Sequence, residues 1–389
     1  MKDNKKLIGT VLFCHFLASF TALGMPLFLP KIMADLINSE SNYLIGWYYI
    51  LPTICMAFAA SWWGVFADRY GRRLSLLRAQ AGLAVGFLIA GFANNLTLFT
   101  LGLLIQGVCG GTYAASNAYL ATQVNRERLP TVLNWTQFSA RLSLLVAPII
   151  FGLLITSDNP RQLYCYLAIL PLFAAILVYH LPKDELQSSI KRQKQSGLKS
   201  APLSFLQILL IQFLFSFSMV VSFPYFLPFA EQLGIIETSI IGFYFSLPHL
   251  VYLIITSCGL IKIETSSAVS VCLYGLLALI IAALIQMQIN TSLWLWLARL
   301  TMGLGITLTF ISLHQCFAAL KNADNAGLIF GRFDSAGKWA GVTAGLCSGF
   351  LVKLAGLNAP FLLSAIAAVI AIGVIYFPQP RYLTNEEDS

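Results

Sequence analysis

Two long apolar runs flank the stretch Gly64-Val65-Phe66-Ala67-Asp68-Arg69-Tyr70-Gly71-Arg72-Arg73. An apolar run of about 20 residues is long enough to cross a bilayer as a helix. The stretch between the runs holds one acid, two glycines and three arginines. It therefore predicts a tight, charged turn that connects two membrane helices.

The whole chain has the composition of a polytopic membrane protein. Of its 389 residues, 58% are hydrophobic and 10% are charged, and the mean hydropathy is +0.77. Soluble proteins contain about 25% charged residues, so this composition excludes an ordinary soluble domain. The first apolar stretch runs to about Pro30, too long for the apolar core of a signal peptide, and predicts a retained helix. The net charge of +8 is better explained by membrane topology than by a nucleic-acid partner.

Twelve apolar runs, separated mostly by short loops, predict twelve membrane helices. The exception among the loops is a polar segment at residues 183–200, which is rich in Lys and Arg and lacks apolar periodicity. We therefore predict an N-terminal six-helix bundle over residues 1–182 and a cytoplasmic linker over 183–200. A C-terminal six-helix bundle with a short cytoplasmic tail follows over 201–389.

The distribution of Lys and Arg predicts the orientation in the membrane, because cytoplasmic loops carry an excess of both. With the N-terminus inside, the outside loops hold only Lys31, Arg161 and Lys353 of the 24 Lys and Arg. Three more fall within helices, and the others fall in inside segments. We therefore predict that both termini are cytoplasmic, in a bacterial inner membrane.

The two predicted bundles repeat each other in sequence. Pro26-Leu27-Phe28-Leu29-Pro30 recurs as Pro224-Tyr225-Phe226-Leu227-Pro228, and residues 45–52 recur as 241–248, at offsets of 196 to 198 residues. Because each copy contains six helices, both copies have the same orientation in the membrane. Carriers built from such parallel repeats bind their substrate near the midplane, between the bundles.

Residues 64–73 closely resemble the loop between helices 2 and 3 of the major facilitator superfamily, in which a Gly, an Asp-Arg pair, a second Gly and a basic pair recur at this spacing. The resemblance covers nearly the whole chain. It implies an all-α membrane fold of 12 transmembrane helices in two parallel-repeat six-helix bundles. It also implies a secondary transporter, with a small-molecule substrate, protons and the lipid bilayer as partners. We expect a monomer without cofactor or metal. The sequence contains no P-loop, metal-ligand or catalytic-triad pattern, so neither an ATP-driven pump nor an enzyme is expected.

The resemblance also assigns a mechanical role to this loop. In the family, its acid meets the N-terminal end of helix 11, where the helix dipole is positive. The conformational latch would here consist of Asp68 with Gly64, Arg69, Gly71 and Arg72, and it would favour the outward-open state. The second copy has Glu264 at the position of Asp68 but lacks the rest of the motif. Only the first loop is expected to act as a strong latch.

Three cations fall within predicted membrane helices: Arg141, Arg299 and Lys338. A charge inside the bilayer is costly and marks a candidate functional site. Arg141 and Lys338 lie 197 residues apart and are repeat equivalents. We expect them to face each other across the central cavity, which helices 5 and 11 line in the family.

Polar neighbours extend this candidate site. Asn134 and Gln137 share a helix face with Arg141, and Asp334 lies one turn before Lys338 and can pair with it. We predict that the two cations bind an anionic group of the cargo, such as a carboxylate; a polycarboxylate siderophore is one concrete possibility. Asp334 would be the proton-responsive partner that competes for Lys338. A structural ion pair on helix 11, with Arg141 bonded to a neighbouring backbone, is the alternative.

Proton coupling has several candidates besides Asp334. Histidine titrates near working pH, and His15, His249 and His314 lie in apolar runs. His314 is the strongest of the three because polar Gln315 adjoins it, although any of them could be a satisfied core histidine. Arg299 resembles an arginine of the family's helix-4 proton-coupling motif, but it lies on helix 10, so a packing role is as plausible.

Aromatic side chains are expected to contribute to the cavity walls, with a lipid-facing position as the alternative for each. The candidates are Tyr48, Tyr49, Tyr225, Tyr244 and Trp339.

Two transport functions compete. The symmetric cations favour a carrier of an anionic metabolite. The small residues around Pro148 and Gly152 resemble the antiporter motif of drug-proton exporters and favour a multidrug efflux antiporter, although small residues also permit close helix packing. Exporters of lipophilic cations usually need an acid within the membrane, and Asp334 is the only clear one. A transporter-like receptor is disfavoured, and the motifs leave export and import both open.

Overall fold

The computed structural model describes residues 5–36, 43–125, 128–155, 159–183, 202–261, 263–320 and 326–377. Every regular element in these ranges is a helix. Short 3-10 turns adjoin α2, α10 and α13. The α-helices are α1 (Lys5–Gly24), α2 (Leu29–Leu36), α3 (Leu44–Tyr70), α4 (Arg72–Gly91), α5 (Leu96–Cys109), α6 (Thr112–Gln123), α7 (Leu129–Leu154), α8 (Gln162–Tyr179), α9 (Phe205–Val220), α10 (Phe226–Gln232), α11 (Thr238–Ser257), α12 (Ala268–Gln288), α13 (Leu295–Ala319), α14 (Ala326–Ala355) and α15 (Ala359–Tyr376).

These helices form the twelve predicted membrane spans. Eleven helical stretches in the described ranges are long and apolar enough to cross a membrane, and α1–α2, α5–α6 and α9–α10 each form one of them. The twelfth is α14, whose 30 residues correspond to about 45 Å of helix. Its charged residues, among them Asp334 and Lys338, make it more polar than the others. The prediction of an all-α membrane protein is confirmed.

The stretch 64–73 forms the predicted turn. Gly71 separates α3 from α4 and has a φ of 101°, which L-residues with a side chain rarely adopt. The two arginines after it hydrogen-bond the start of α4 to α6 and to the segment that follows α8. Arg72 donates to the Ala118 carbonyl at 3.3 Å, and Arg73 donates to the Leu181 carbonyl at 2.8 Å. We call this end of the molecule the motif end.

The helices pack as two groups. In the N half (α1–α8), α1 packs against α7 and α8, and α4 packs against α5 and α8. In the C half (α9–α15), α12 packs against α13 and α15, and α9 packs against α14 and α15. The two halves meet where α3 packs on α14 and where α7 packs on α11. The predicted linker lies outside the described residues except for Lys183, and its boundaries stay a prediction.

Two seams join the halves at the end opposite the motif, which we call the closed end. In the first seam, a methyl group added to Gly46 of α3 would lie 3.2 Å from the nitrogen of Gly349 of α14 and nearer still to the Gly345 oxygen. In the second, a methyl group added to Gly152 of α7 would lie 2.6 Å from the Cα atom of Ser239. Backbone therefore lies against backbone, as small residues permit in membrane helices.

The seams are related by the sequence repeat. Gly46 corresponds to Gly242, and Gly152 corresponds to Gly349, at the offsets of 196 and 197 residues. Gly242 lies against the backbone of Pro148, just as Gly46 lies against the backbone of α14. The small residues that resemble the antiporter motif therefore serve close packing between the halves in this structure.

At the motif end, α3 is highly exposed. Phe58 and Trp62 are 73% and 66% exposed, and the Asp68 side chain is 77% exposed. The contacts of α3 with α14 described above lie instead near Gly46, about five turns away along the helix. The halves are therefore joined at the closed end, while this part of α3 is uncovered at the motif end.

Candidate functional site

Arg141 of α7 lies at the junction of the two halves, where it contacts three side chains of the C half. Its Nη1 atom lies 3.3 Å from Nδ1 of His249 on α11. Its guanidinium carbon lies 4.8 Å from the ring centroid of Tyr252 and 5.5 Å from that of Phe310 on α13. An arginine over an aromatic ring gains a cation–π attraction. Side chains from both halves therefore contribute to one site.

The chemistry of the Arg141 contact defines the state of His249. A guanidinium only donates hydrogen bonds, so Nδ1 of His249 must accept. The imidazole proton then resides on Nε2, and His249 is neutral. Among the described residues, no carboxylate lies within 4.0 Å of Arg141. The charge of Arg141 is therefore held by neutral groups and not by an ion pair.

The N-half side of this site holds a hydrogen-bonded polar cluster. Gln137, one turn before Arg141, donates to the Tyr113 hydroxyl at 2.6 Å. The His15 ring centroid lies 5.6 Å from that of Tyr113, and its Nδ1 lies 3.1 Å from the Ser139 hydroxyl. Of the predicted residues, Gln137 thus lies one turn from Arg141 on α7, and His15 of α1 contacts Ser139, two residues before Arg141.

Asn134, the third residue of the predicted face, is exposed one turn further towards the motif end.

Lys338 differs from its repeat equivalent. Its Nζ lies 2.7 Å from Oδ2 of Asp334 on the preceding turn of α14, as the spacing predicts. The two side chains are 38% and 45% exposed. No contact joins Lys338 to Arg141 in the described ranges. The two cations are therefore unequal, because Lys338 has a carboxylate partner and Arg141 does not.

A file of rings continues from the Arg141 site along α13. The rings of Phe310 and His314 lie 4.0 Å apart between centroids, and those of His314 and Phe333 lie 5.1 Å apart. Phe317 follows at 4.6 Å from Phe333. Because α13 runs from the closed end towards the motif end, this file extends from the site in that direction. Nδ1 of His314 donates to the Phe310 carbonyl at 2.9 Å.

Arg299 donates hydrogen bonds to the backbone of α11. Pro248 has no N–H, so the carbonyl of Tyr244, four residues earlier, lacks its helical donor. Nε of Arg299 donates to this carbonyl at 3.0 Å, and Nη2 donates to the Phe245 carbonyl at 2.8 Å. Arg299 is fully buried, and its guanidinium lies 4.4 Å from the ring centroid of Phe226. These contacts favour the packing alternative over a proton-coupling role.

Two predicted cavity-wall tyrosines lie elsewhere in this structure. Tyr225 is 1% exposed and belongs to the closed end, where its hydroxyl accepts from the Gly46 nitrogen at 3.1 Å and donates to the Tyr43 carbonyl at 3.2 Å. The Tyr48 hydroxyl lies 2.8 Å from that of Thr100 on α5. Packed tyrosines and cavity-lining tyrosines both occur within apolar runs, so sequence alone does not distinguish the two environments.

Side-chain contacts also bridge the closed end. Lys31 of α2 donates to the Thr238 hydroxyl at 2.7 Å and lies 3.9 Å from Oε1 of Glu231. Lys353 of α14 lies 4.9 Å from the ring centroid of Tyr43. Each contact joins one half to the other, so opening of this end would break all three.

In the described part of the chain, Asp68 and Arg69 contact only neighbouring residues, whereas Arg72 also reaches the Ala118 carbonyl on α6. Oδ1 of Asp68 lies 3.9 Å from Nη2 of Arg72, an exposed pair that contributes little to stability. The Arg69 guanidinium lies 5.4 Å from the ring centroid of Tyr70. Gly64 has open space around its Cα. The side chains at the start of α14, the predicted partner, lie outside the described residues.

Sequence reasoning missed Tyr252 and Phe310 as partners of Arg141. Tyr252 lies on α11 with His249, and Phe310 lies on α13 with His314. The two histidines could therefore have pointed to these helices. Their convergence on Arg141 depends on how α11 and α13 rotate against α7. In the described part of the chain, no group of three or more His, Cys, Asp or Glu side chains could hold a metal ion.

Comparison with known sequences identifies relatives. Residues 11–331 match the sequence profile of the Major Facilitator Superfamily. The multidrug resistance protein MdtG of Yersinia enterocolitica is 27% identical over 197 residues, which cover 50% of this chain and 47% of the relative. MdtG of Serratia proteamaculans is 31% identical over 199 residues, covering 49% and 48%. The match thus spans about half the length of these curated relatives.

Solved structures share the architecture. The human organic anion transporter MFSD10 (TETRAN) superposes with a TM-score of 0.69 at 15% identity, covering 96% of this chain and 99% of that one. A D-xylose-proton symporter gives 0.69 at 14% identity, with 96% of each chain covered. A POT family transporter in complex with 5-aminolevulinic acid gives 0.71 at 12% identity, covering 95% and 94%. At these identities the likeness concerns the fold alone.

Proposed function

The chain belongs to the major facilitator superfamily, and we propose that it exports small organic acids across a bacterial inner membrane by alternating access between its two halves. Arg141 carries the proposal. It is a cation in a membrane helix, it lies at the junction of the halves, and among the described residues no carboxylate compensates its charge. An anionic group of the cargo would supply the missing countercharge.

The direction of transport rests on two supports. The relatives that match half of the chain are named multidrug resistance proteins, which is consistent with export. The Lys and Arg distribution predicts that the motif end is cytoplasmic. The present state, with its seams at the closed end, would then receive cargo from the cytoplasm. A polycarboxylate siderophore remains one possible cargo.

Proton coupling is proposed to act through Asp334. Protonation of this carboxyl would remove the charge that holds Lys338 at 2.7 Å. Lys338 would then be released as a second cation for the cargo. His15 and His314 remain alternative proton carriers, because each lies in a membrane helix near the Arg141 site.

A multidrug efflux antiporter for lipophilic cations is the second candidate. It is favoured by the names of the relatives and by the half-exposed Asp334 carboxylate in a membrane helix. In that case Asp334 would bind the cargo, and Arg141 would have a structural role.

Ligand-dependent thermal stabilisation of the purified protein tests the proposal, because a ligand that binds the folded state raises its apparent stability. Benzoate and citrate represent the organic acids, and tetraphenylphosphonium and ethidium represent lipophilic cations. We expect stabilisation by an acid that is lost in Arg141→Ala and kept in Lys183→Ala, which removes a cation outside the membrane. Stabilisation only by the cations, lost in Asp334→Asn, would overturn the proposal and establish the second candidate.

The latch proposal predicts the effect of Asp68→Asn. Removing the carboxylate would weaken its attraction to the positive end of α14 in the state closed at the motif end, which is worth about 0.3–1 kcal/mol at an exposed site. We expect a larger fraction of molecules open at the motif end. Spin labels at Tyr179 and Leu260, both exposed at that end, would report the distance between the halves, in a background without the eight native cysteines.

The matched control for this measurement is Glu264→Gln, the same change at the repeat-equivalent position. The second loop lacks the rest of the motif, so its distance distribution should equal that of the parent protein. Equal distributions for Asp68→Asn and the parent would show that the latch does not operate.

A further inference from the structure

We infer that the Arg141 site selects organic acids that carry an aromatic ring, with the carboxylate bound by Arg141 and the ring packed against Phe310 and Tyr252. This inference rests on the proposed function and names its substrate class. The residues come from both halves of the protein, so the ligand would bind where the two halves move against each other.

Arg141 keeps hydrogen-bond donors available for a ligand. A guanidinium has five N–H donors in a planar fork, and one of them contacts His249 at 3.3 Å. None of its nitrogen atoms is enclosed without a partner, so the remaining donors face accessible space or other groups. A carboxylate accepts two parallel hydrogen bonds from such a fork. The fork of Arg141 could therefore bind the carboxylate of one monoanionic ligand.

His249, the polar partner of Arg141, is 1% exposed. Its Nδ1 accepts from Arg141, and its Nε2 atom is buried with no hydrogen-bond partner. A buried donor without an acceptor is rare in folded proteins and calls for a partner such as a water molecule, an ion or a ligand. His249 thus offers a second polar group to a bound carboxylate, and it adds no negative charge that would repel one.

Two aromatic rings lie beside the guanidinium of Arg141. The centroids of Tyr252 and Phe310 lie 4.8 and 5.5 Å from the guanidinium carbon and 5.7 Å from each other in an edge-to-face arrangement. These two rings form the aromatic surface beside the guanidinium that a ring attached to the bound carboxylate could contact. Aromatic pairs favour centroid separations of about 4.5–7 Å in offset or edge-to-face geometry.

Further aromatic rings lie on the motif-end side of the site. The rings of His314, Phe333 and Phe317 continue from Phe310 towards the motif end, and each ring centroid lies 4.0 to 5.1 Å from the next. Phe310, His314 and Phe317 are partly exposed, so an aromatic acid could contact these three rings in turn, whereas Phe333 is buried beneath them. An aliphatic polyacid gains no such contacts, and its additional charges would meet apolar walls.

Two acids of the same charge and ring size test this selectivity: benzoate and cyclohexanecarboxylate. Calorimetric titration of the full-length protein in lipid nanodiscs should give a dissociation constant about 2- to 12-fold lower for benzoate, which is the range expected for one aromatic pair. Phe310→Leu should remove this preference. Phe350→Leu, a matched change at an exposed position of α14 away from the site, should retain it.

The outcomes separate this inference from the proposed function. Equal affinity for the two acids, with both lost in Arg141→Ala, would overturn the aromatic selectivity and leave the anion site intact. Binding of both acids that is unchanged by Arg141→Ala, or no binding of either, would overturn the proposed function itself. The comparison of the two acids on the parent protein needs no variant, so a poorly folding Phe310→Leu protein would not prevent the test.

Discussion

The variant Gly46→Leu is expected to lose the state that is closed at the end opposite the motif. A Cβ atom at position 46 would lie 3.2 Å from the Gly349 nitrogen and would overlap the Gly345 carbonyl. Both neighbours are backbone atoms of α14, which cannot move aside as a flexible side chain could. Overpacking of this kind costs about 1–3 kcal/mol, and 3 kcal/mol corresponds to a population change of about 100-fold.

Spin labels at Phe92 in the N half and Ile236 in the C half, both exposed near the closed end, would measure this change. We expect the short distance of the parent protein to be replaced by a longer one. Gly242→Leu should act alike, because Gly242 lies against Pro148 at the repeat-equivalent seam. Gly373→Leu is the matched control, since nothing lies within 4 Å of a methyl group at that position. If Gly46→Leu and Gly373→Leu gave the same distances, the seam would not control closure.

The variant Arg299→Met is expected to destabilise the protein, although it removes a buried charge. Replacing a buried ion by an apolar side chain is often neutral or stabilising. Here, however, the Tyr244 carbonyl lacks the helical N–H of residue 248, because that residue is proline, and Arg299 donates to it instead. A buried unsatisfied carbonyl costs about 1–3 kcal/mol, and loss of the desolvated contact with Phe226 costs about 2 kcal/mol more.

A double-mutant cycle with Pro248→Ala identifies the cause, because alanine restores the missing N–H. In the Pro248→Ala background, Arg299→Met should lower the apparent melting temperature much less than in the parent protein. Arg332→Met, at an exposed position of α14, controls for removal of an arginine. Additive effects of Pro248→Ala and Arg299→Met would show that the guanidinium does not compensate for the missing N–H of Pro248. Such a result would contradict the packing role of Arg299.

The membrane fold was predictable because its signals are local. The length of each apolar run predicts a span, and Gly71 among charged residues predicts a turn. An offset of nearly 197 residues relates the halves. The same offset relates Pro148 and Gly152 to Gly345 and Gly349. What the sequence could not distinguish was a transport motif from a packing seam, since small residues serve both.

The candidate site was predictable only in part. A cation in an apolar run is visible in sequence, so Arg141, Arg299 and Lys338 stood out. Their partners were not all visible, because a contact between helices far apart in sequence depends on their rotation and crossing. The pair of Asp334 and Lys338 was the exception, since one helix holds both residues at a spacing of four.

The sequence by itself thus determined that this protein is a twelve-helix membrane protein made of two repeated halves with three cations inside. Hydropathy, helix periodicity and repeat offsets are properties of single segments and need no knowledge of their neighbours. Only the tertiary structure decided that Arg141 contacts His249, Tyr252 and Phe310, that Lys338 is paired with Asp334, and that Arg299 completes the backbone at Pro248. Each of these depends on which helix faces which, and that is set by the packing of the two halves as a whole.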